Sequence, residues 1–277
     1  MEKKKKTVIL LATYNGERFL REQIDSLYAQ TFTDWTIYAH DDGSSDGSYD
    51  ILAQYAATHD NFKILDYPSQ HSAKDNFLSM LTHVDADYYL FCDQDDVWKT
   101  DKIEKEMKHM ADLELQMPER PIAVFSDLLV VNRELEVIEP SMWDTIGIRP
   151  ELLTTFERGG VFEYVTGCTM MFNRKARKCV ICPAPKATMH DTWTVLCILR
   201  QGGIVSAVCE PLVYYRQHGD NTLGASNRSR RQLIHKLRNI SNIWHHDRKH
   251  WEMLKELGYG SFAKFLYYKY LYRRLHP

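Results

Sequence analysis

The 277 residues suffice for a large α/β domain with an appendage, and a chain that is 26% charged and 44% apolar is neither fibrous nor disordered. The net charge of −2 is unevenly placed: residues 225–277 carry twelve Lys/Arg against three Asp/Glu, about +9, which leaves about −11 on the rest. So acidic a body argues against nucleic acid as a partner, and no apolar run is long enough to span a bilayer.

Residues 3–6 are lysines that precede only a short apolar run at 8–12, too short for a secretory signal. The expected location is cytoplasmic, at most on the inner membrane surface. Residues 7–12 predict a strand buried on both faces, ended by the polar Thr13, Tyr14, Asn15 and Gly16. Phe19, Leu20, Ile24, Leu27 and Tyr28 then recur at helical spacing. Residues 35–39 predict a second strand, which runs into the loop His40 to Gly47, where Ser45 or Asp46 is placed to cap a helix carrying Tyr49, Ile51, Leu52 and Tyr55. Residues 62–65 predict a third strand, 76–81 a helix and 88–92 a fourth strand. This alternation is that of a layered α/β sheet with its functional loops at the carboxyl ends of the strands. Thr13, Asp41 and Asp93 would meet there in one crevice.

In the second half, residues 122–131 predict a strand containing Ser126 and Asp127, and 165–172 predict another. His190 and Asp191 open a helix through residue 199; two short strands, 203–208 and 212–215, lead to Arg216, Gln217 and His218. No repeat or low-complexity linker divides the chain, so the expected organisation is one domain over 1–224 and a basic, aromatic helical tail over 225–277. Leu233, Leu237, Ile240, Trp244, Trp251, Leu254 and Leu257 keep helical spacing in the tail. Its end, from Phe262, mixes rings with cations, which suits a helix lying on anionic lipid and equally one packed on the body with its cations reaching water. His245, His246 and His250 read as an exposed helix face. The six cysteines lie mostly in apolar surroundings and read as reduced core thiols; Cys179 and Cys182 lack a second pair at zinc spacing.

The stretch with the clearest chemistry is Asp93, Gln94, Asp95 and Asp96, directly after the fourth strand. In extended backbone Asp93 and Asp95 share a face while Gln94 and Asp96 turn away. Two carboxylates at a strand end can hold Mg²⁺ or Mn²⁺, whose other ligands are water and phosphate oxygens, so the cluster points to a nucleotide diphosphate partner. Asp85 and Asp87 have the same spacing but precede the strand, and read as a solvated turn.

With these residues in place the chain resembles the family-two inverting glycosyltransferases of the GT-A fold, which build bacterial polysaccharides. Thr13 to Gly16, Gln30 to Phe32, Asp41 to Asp46 and Asp93 to Asp96 recur in that family's order and spacing. Weaker matches at Gly167 and Cys168, His190 and Asp191, and Arg216 to His218 extend the likeness to about residue 220. Lys74 to Phe77, with Asp93 to Trp98, look most like the rhamnosyltransferase branch. The resemblance implies a Rossmann-like, mainly parallel sheet flanked by helices. It implies a nucleotide-sugar site formed by Thr13, Tyr14 beside the base, Asp42 accepting from the ring N–H, Lys74 toward a phosphate, and Asp93 facing the ribose or the metal. Asp95 would bind the metal, and His218 would return to the metal or diphosphate. Asp191 matches the catalytic base, although the family commonly has Glu before it and this chain has His190.

The implied reaction moves a sugar, rhamnose being one candidate, from a dTDP- or UDP-sugar to a hydroxyl of a saccharide or lipid-linked saccharide. Each residue also has a plainer reading. Tyr14 could pack at a strand end, Asp41 or Asp42 could cap a turn, and Asp191 suits any helix N-terminus. Two other functions stay open: a sugar nucleotidyltransferase, which would normally show a Gly-rich loop with a basic residue after strand one, and a nucleotide-sugar binder without turnover.

Overall fold

Every position of β1 (Thr7–Thr13) is buried, because Val8, Leu10 and Ala12 enter one core and Ile9 and Leu11 another on the opposite side. The computed structural model describes residues 5–217 and 240–275. In it β1 is joined by β2 (Trp35–Asp41), β3 (Phe62–Ile64), β4 (Tyr88–Cys92), β5 (Val97–Trp98), β6 (Ile122–Val131), β7 (Val137–Glu139), β8 (Met170–Asn173) and β9 (Ile204–Arg216) in a nine-stranded sheet. The order is β3-β2-β1-β4-β8-β6-β9-β5, with β7 on β6. The first four strands are mutually parallel, and β8 is antiparallel to both β4 and β6.

Helices α1 (Glu17–Tyr28), α2 (Ser48–Thr58) and α4 (Lys102–Gln116) cover one face with Leu20, Ile24, Leu27, Leu52 and Met110. The other face takes α3 (Ala73–His83) and α8 (His190–Arg200). All of α8 except its last residue is buried, so its sequence shows no polar stripe. Short helices α5 (Met142–Ile146), α6 (Phe156–Gly159) and α7 (Arg174–Cys179) lie in the second half. Register levels the site strands: Thr13 stands opposite Asp41, and Leu11 opposite Cys92.

Several expectations need correction. Residues 165–172 are not one strand, because a 3-10 turn at Gly167–Thr169 precedes β8. The two short strands after residue 203 are one, β9, which runs parallel to β6 throughout; register shifts around Ser126 to Leu128 absorb the polar interruption at Cys209 to Pro211. Neither Ser45 nor Asp46 is the N-cap of α2. Gly47 is, and the Asp46 carboxylate reaches past it to the Ser48 N–H, 3.0 Å away.

The tail helices α9 (Ile240–Glu256) and α10 (Phe262–Leu275) bury Met253, Leu254, Leu257, Tyr259, Phe265 and Tyr272 in the same core as α3 and α8. The expected boundary at 224/225 lies outside the described residues, as do Leu233 and Leu237. His250 is not on an exposed face: at 4% exposure its Nε2 lies 2.7 Å from the Gly160 carbonyl and its Nδ1 3.4 Å from Glu163. The helix rotates it inward with Met253 and Leu254, which share that face.

Beneath the carboxyl end of β4, Lys102 and Glu106 form a fully buried ion pair at 2.8 Å, with the ammonium 3.9 Å from the Trp98 ring centroid. Burial pushes the Glu106 carboxyl up to about 7, against the pull of Lys102. Lys102→Met strands that carboxylate and should destabilise the fold by about 3–5 kcal/mol, whereas Lys102→Met with Glu106→Leu should recover most of the loss. Denaturant unfolding of the three proteins measures both; a single variant as stable as the parent would contradict the pairing.

Candidate active site

Three strand ends build the site, and their backbones are locked to one another before any ligand is considered. Asn15, in the left-handed region at φ 49, donates its N–H to Ser44 Oγ and accepts from the Ser45 N–H, both at 2.8 Å. The Gly16 N–H reaches Ser48 Oγ at 2.8 Å, so the loops after β1 and β2 form one unit. Asp41 is the turn former: it accepts from Thr13 Oγ1 at 3.0 Å and from the Ser44 N–H at 2.8 Å. Asp42 points elsewhere. Its carboxylate receives the Gln70 and Ser72 N–H groups, the latter at 3.0 Å, and thereby pins the loop that leads into α3.

After β4 the chain bends rather than staying extended, so Asp93 to Asp96 do not alternate between faces. Gln94 joins its neighbours at the cleft, accepting from the Tyr14 N–H at 2.7 Å and donating to the Tyr14 carbonyl at 3.0 Å. The pair imitates a strand ladder with a side chain. Its amide lies where a Cβ on Gly16 would stand, so a side chain at that position would displace Gln94 from Tyr14. Asp96 turns down and accepts the Arg216 N–H at 3.1 Å. The buried Arg216 guanidinium holds the Asp95 carbonyl at 2.9 Å, Glu22 at 2.5 Å and the Arg133 carbonyl.

The resulting cleft has a volume of about 330 Å³ and is lined by Thr13, Tyr14, Asp42, Ser72, Asp93 and Asp95 among others. Its walls are polar where the strands end. Tyr14, 57% exposed, is available at the rim for a planar ligand. Burial drives the Asp93 carboxyl well above the usual range, and the charges of Asp95 and Asp191 push it further. Asp96 moves the same way for the same leading reason. Ligand atoms of Asp93, Asp96 and Cys168 lie within 4.8 Å of one another, and the buried Asp96 Oδ2 has no hydrogen-bond partner among the described residues. The two carboxylates of this group fit a hard divalent cation, which would reverse their mutual repulsion, whereas the Cys168 thiol, kept protonated by burial, does not.

Asp191 is not part of the cleft lining, but its charge is felt by Asp93. Its Oδ2 accepts the Gly167 N–H at 2.9 Å and its Oδ1 the Thr192 N–H at 2.5 Å. Burial raises its pKa to about 6, with Glu163 adding to the rise and the two N–H groups opposing it. His190 has its pKa lowered to about 3 by burial and is a neutral ring, stacked on Phe77 at 4.1 Å and edge-on to Phe91. A Cβ on Gly167 would lie 2.5 Å from His190 Nε2, so the 3-10 turn can approach Asp191 only with glycine there.

The structure therefore brings together Thr13, Tyr14, Asp42, Asp93 and Asp95, with Asp191 beside them. Lys74 is not brought to the cleft; its ammonium rests on the Ala184 carbonyl at 3.3 Å and on Asp75 at 3.1 Å. His218 lies outside the described residues. Sequence reasoning missed Gln94 and Arg216 as site builders. An arginine at the end of an apolar strand was a visible signal for the second; the bend that recruits Gln94 was not.

The family model described as glycosyl transferase family 2 matches residues 8–181. The dTDP-rhamnosyl transferase RfbG of Shigella flexneri is 27% identical over 250 residues, which cover 85% of this chain and 80% of that protein. The putative teichuronic acid biosynthesis glycosyltransferase TuaG of Bacillus subtilis is 25% identical over 92% of this chain and 90% of its own. Among solved structures, S. aureus TarS 1-349 with UDP superposes at a TM-score of 0.57 and 16% identity; the match covers 76% of this chain and 60% of that one. The mannosyltransferase PcManGT from Pyrobaculum calidifontis, with GDP-Man and Mn²⁺, gives 0.59 at 15% identity over 95% of this chain and 78% of its own. These neighbours share the GT-A fold.

Arg216→Ala would remove the clamp on the acidic loop and leave buried carbonyls unpaired, at a cost of about 3 kcal/mol. A fall in the melting midpoint of roughly 6–12 °C is expected by calorimetry. An unchanged midpoint would show that the loop holds without it.

Proposed function

The chain belongs to glycosyl transferase family 2 and is a glycosyltransferase, and we propose that it is a metal-dependent, inverting one acting in bacterial cell-surface polysaccharide synthesis. The donor is a nucleotide-diphosphate sugar, with dTDP-rhamnose the first candidate and UDP-sugars the second. RfbG supports the former by its name and the UDP-bound TarS the latter. The acceptor is a hydroxyl of a saccharide or lipid-linked saccharide. The observation that carries this reading is the meeting of Asp93 and Asp95 in one cleft with the buried Asp191 close enough to be felt electrostatically.

Asp93 and Asp95 would hold Mg²⁺ or Mn²⁺, which when bound neutralises charge on the departing diphosphate. Tyr14 at the rim flanks the base, and Asp42 has lone pairs left, beyond those facing Gln70 and Ser72, to accept from it. Thr13, fixed by Asp41, shapes the floor beneath the nucleotide. Lys74 reaches a phosphate only by releasing Ala184, and His218 stays a candidate on the diphosphate side.

Asp191 takes the proton of the attacking acceptor hydroxyl, which then bonds to the anomeric carbon on the side opposite the leaving diphosphate. One N–H on each carboxylate oxygen fixes its orientation, and the neutral His190 fills the space behind it without competing for the proton.

Release of nucleoside diphosphate from a panel of dTDP- and UDP-sugars, with a bacterial lipid extract or oligosaccharides as acceptor, tests the proposal. Acceptor-dependent release is expected, and Asp191→Asn should lower it about 100-fold or more while donor affinity holds. Because Asp191 acts ionised and its pKa is raised to about 6, the rate should climb as pH rises through 6 and level off above it. Wild-type turnover by Asp191→Asn, or a rate that falls across that window, would remove Asp191 from the role.

A further inference from the structure

Helix α10 has two faces. Phe265 and Tyr272 are buried against the body with Tyr268 partly covered, and Tyr272 Oη accepts from the Arg149 N–H at 2.6 Å. On the opposite face Leu266, Tyr267 and Tyr270 are 49%, 59% and 63% exposed, and Phe262 at the helix start is 43% exposed. The charged residues of the helix are Lys264, Lys269, Arg273 and Arg274, with no acidic residue among its fourteen. Arg273 and Arg274 are exposed at the end of the same outward row.

Isolated exposed rings are ordinary on a protein surface. A continuous row of Phe, Leu, Tyr and Tyr ending in two arginines is different, because its two chemistries call for one environment. Tyrosine places a ring in the acyl boundary and its hydroxyl among headgroups, leucine and phenylalanine go deeper, and arginine meets phosphate. We propose that this face docks on an anionic lipid bilayer, with α10 lying in the plane of the surface. The inward face is fixed to the body, so the helix cannot insert across the membrane, and no helix among the described residues is long and apolar enough to do so. An anionic polymer would engage the arginines and leave Leu266 and Phe262 in water. Lipid covers both.

The face is also joined to the base. Tyr272 packs on Phe162 at 4.6 Å, Lys264 pairs with Glu157 at 3.2 Å, and from α9 His250 holds Gly160 and Glu163. That segment runs on to Gly167, whose N–H holds Asp191. Docking would thus bring the membrane to the loop behind the base, although the docking surface itself does not depend on the transferase reading.

Sedimentation of the full chain with phosphatidylglycerol-containing vesicles and with pure phosphatidylcholine vesicles tests it, with no donor or acceptor present. Two variants confined to exposed positions, Leu266→Ser/Tyr267→Ser/Tyr270→Ser and Arg273→Glu/Arg274→Glu, accompany it, and an unchanged melting midpoint confirms that they fold. The parent should partition about tenfold or more in favour of anionic vesicles, and each variant should lose about tenfold of that binding. The proposal is overturned by absent or equal partition on the two vesicle types, or by binding that only the arginine variant loses, which would mark a polymer site. Vesicle-independent self-association abolished by the serine variant, with no vesicle binding, would overturn it in favour of a second copy.

Discussion

The structure depends on a crowding of negative charge. Asp93, Asp95 and Asp96 follow one strand within four residues, and Asp191 is brought beside them from the other half of the chain. Carboxylates this close, partly stripped of water, raise one another's proton affinity. The fold opposes that repulsion with Arg216 on the loop backbone, Gln94 paired to Tyr14, and the Lys102–Glu106 pair below. These hold the loop in shape. A site so arranged suits a divalent ion and the phosphates that come with it, and the same low-dielectric setting lifts Asp191 toward the range where a carboxylate can work as a base.

Everything further out serves that arrangement. The parallel register of β1, β2 and β4 levels Thr13, Asp41 and the end of β4, so three loops interlock at one edge. Asp42 and Ser72 then fix the start of α3 along the cleft. On the far side the segment from Gly147 to Gly167 has little regular structure of its own; α10 holds it through Tyr272, α9 through His250, and the turn between them through Tyr259. The tail therefore packs on the segment whose end, Gly167, holds Asp191.

How much of this could be read from the residues follows from the range of the forces involved. The strands of the first half were legible because burial on both faces leaves continuous apolar runs, and Asp93 and Asp95 because two carboxylates at a strand end suit a cation; Asp191 was singled out only by the family resemblance. The bend after Cys92 was not, since nothing local forbids continued extension; Arg216, more than a hundred residues away, sets it. Likewise the union of the last two strands into β9 depends on extra residues that β9 bulges out opposite Ser126 to Leu128 of β6. His250 looked exposed because its partners, Gly160 and Glu163, lie about ninety residues upstream. Lys74 looked available because a carbonyl acceptor such as Ala184 leaves no mark in a sequence.

The proposed donor site rests on the Asp93–Asp95 cleft binding a nucleotide diphosphate through a divalent cation. Calorimetric titration of UDP and of dTDP into the full chain, with and without Mn²⁺, and again into Asp95→Ala, addresses it most directly. The structure predicts binding of at least one nucleotide that requires Mn²⁺ and disappears in Asp95→Ala, the tighter of the two identifying the donor class. Binding that ignores both the metal and Asp95, or no binding under any condition, would contradict it.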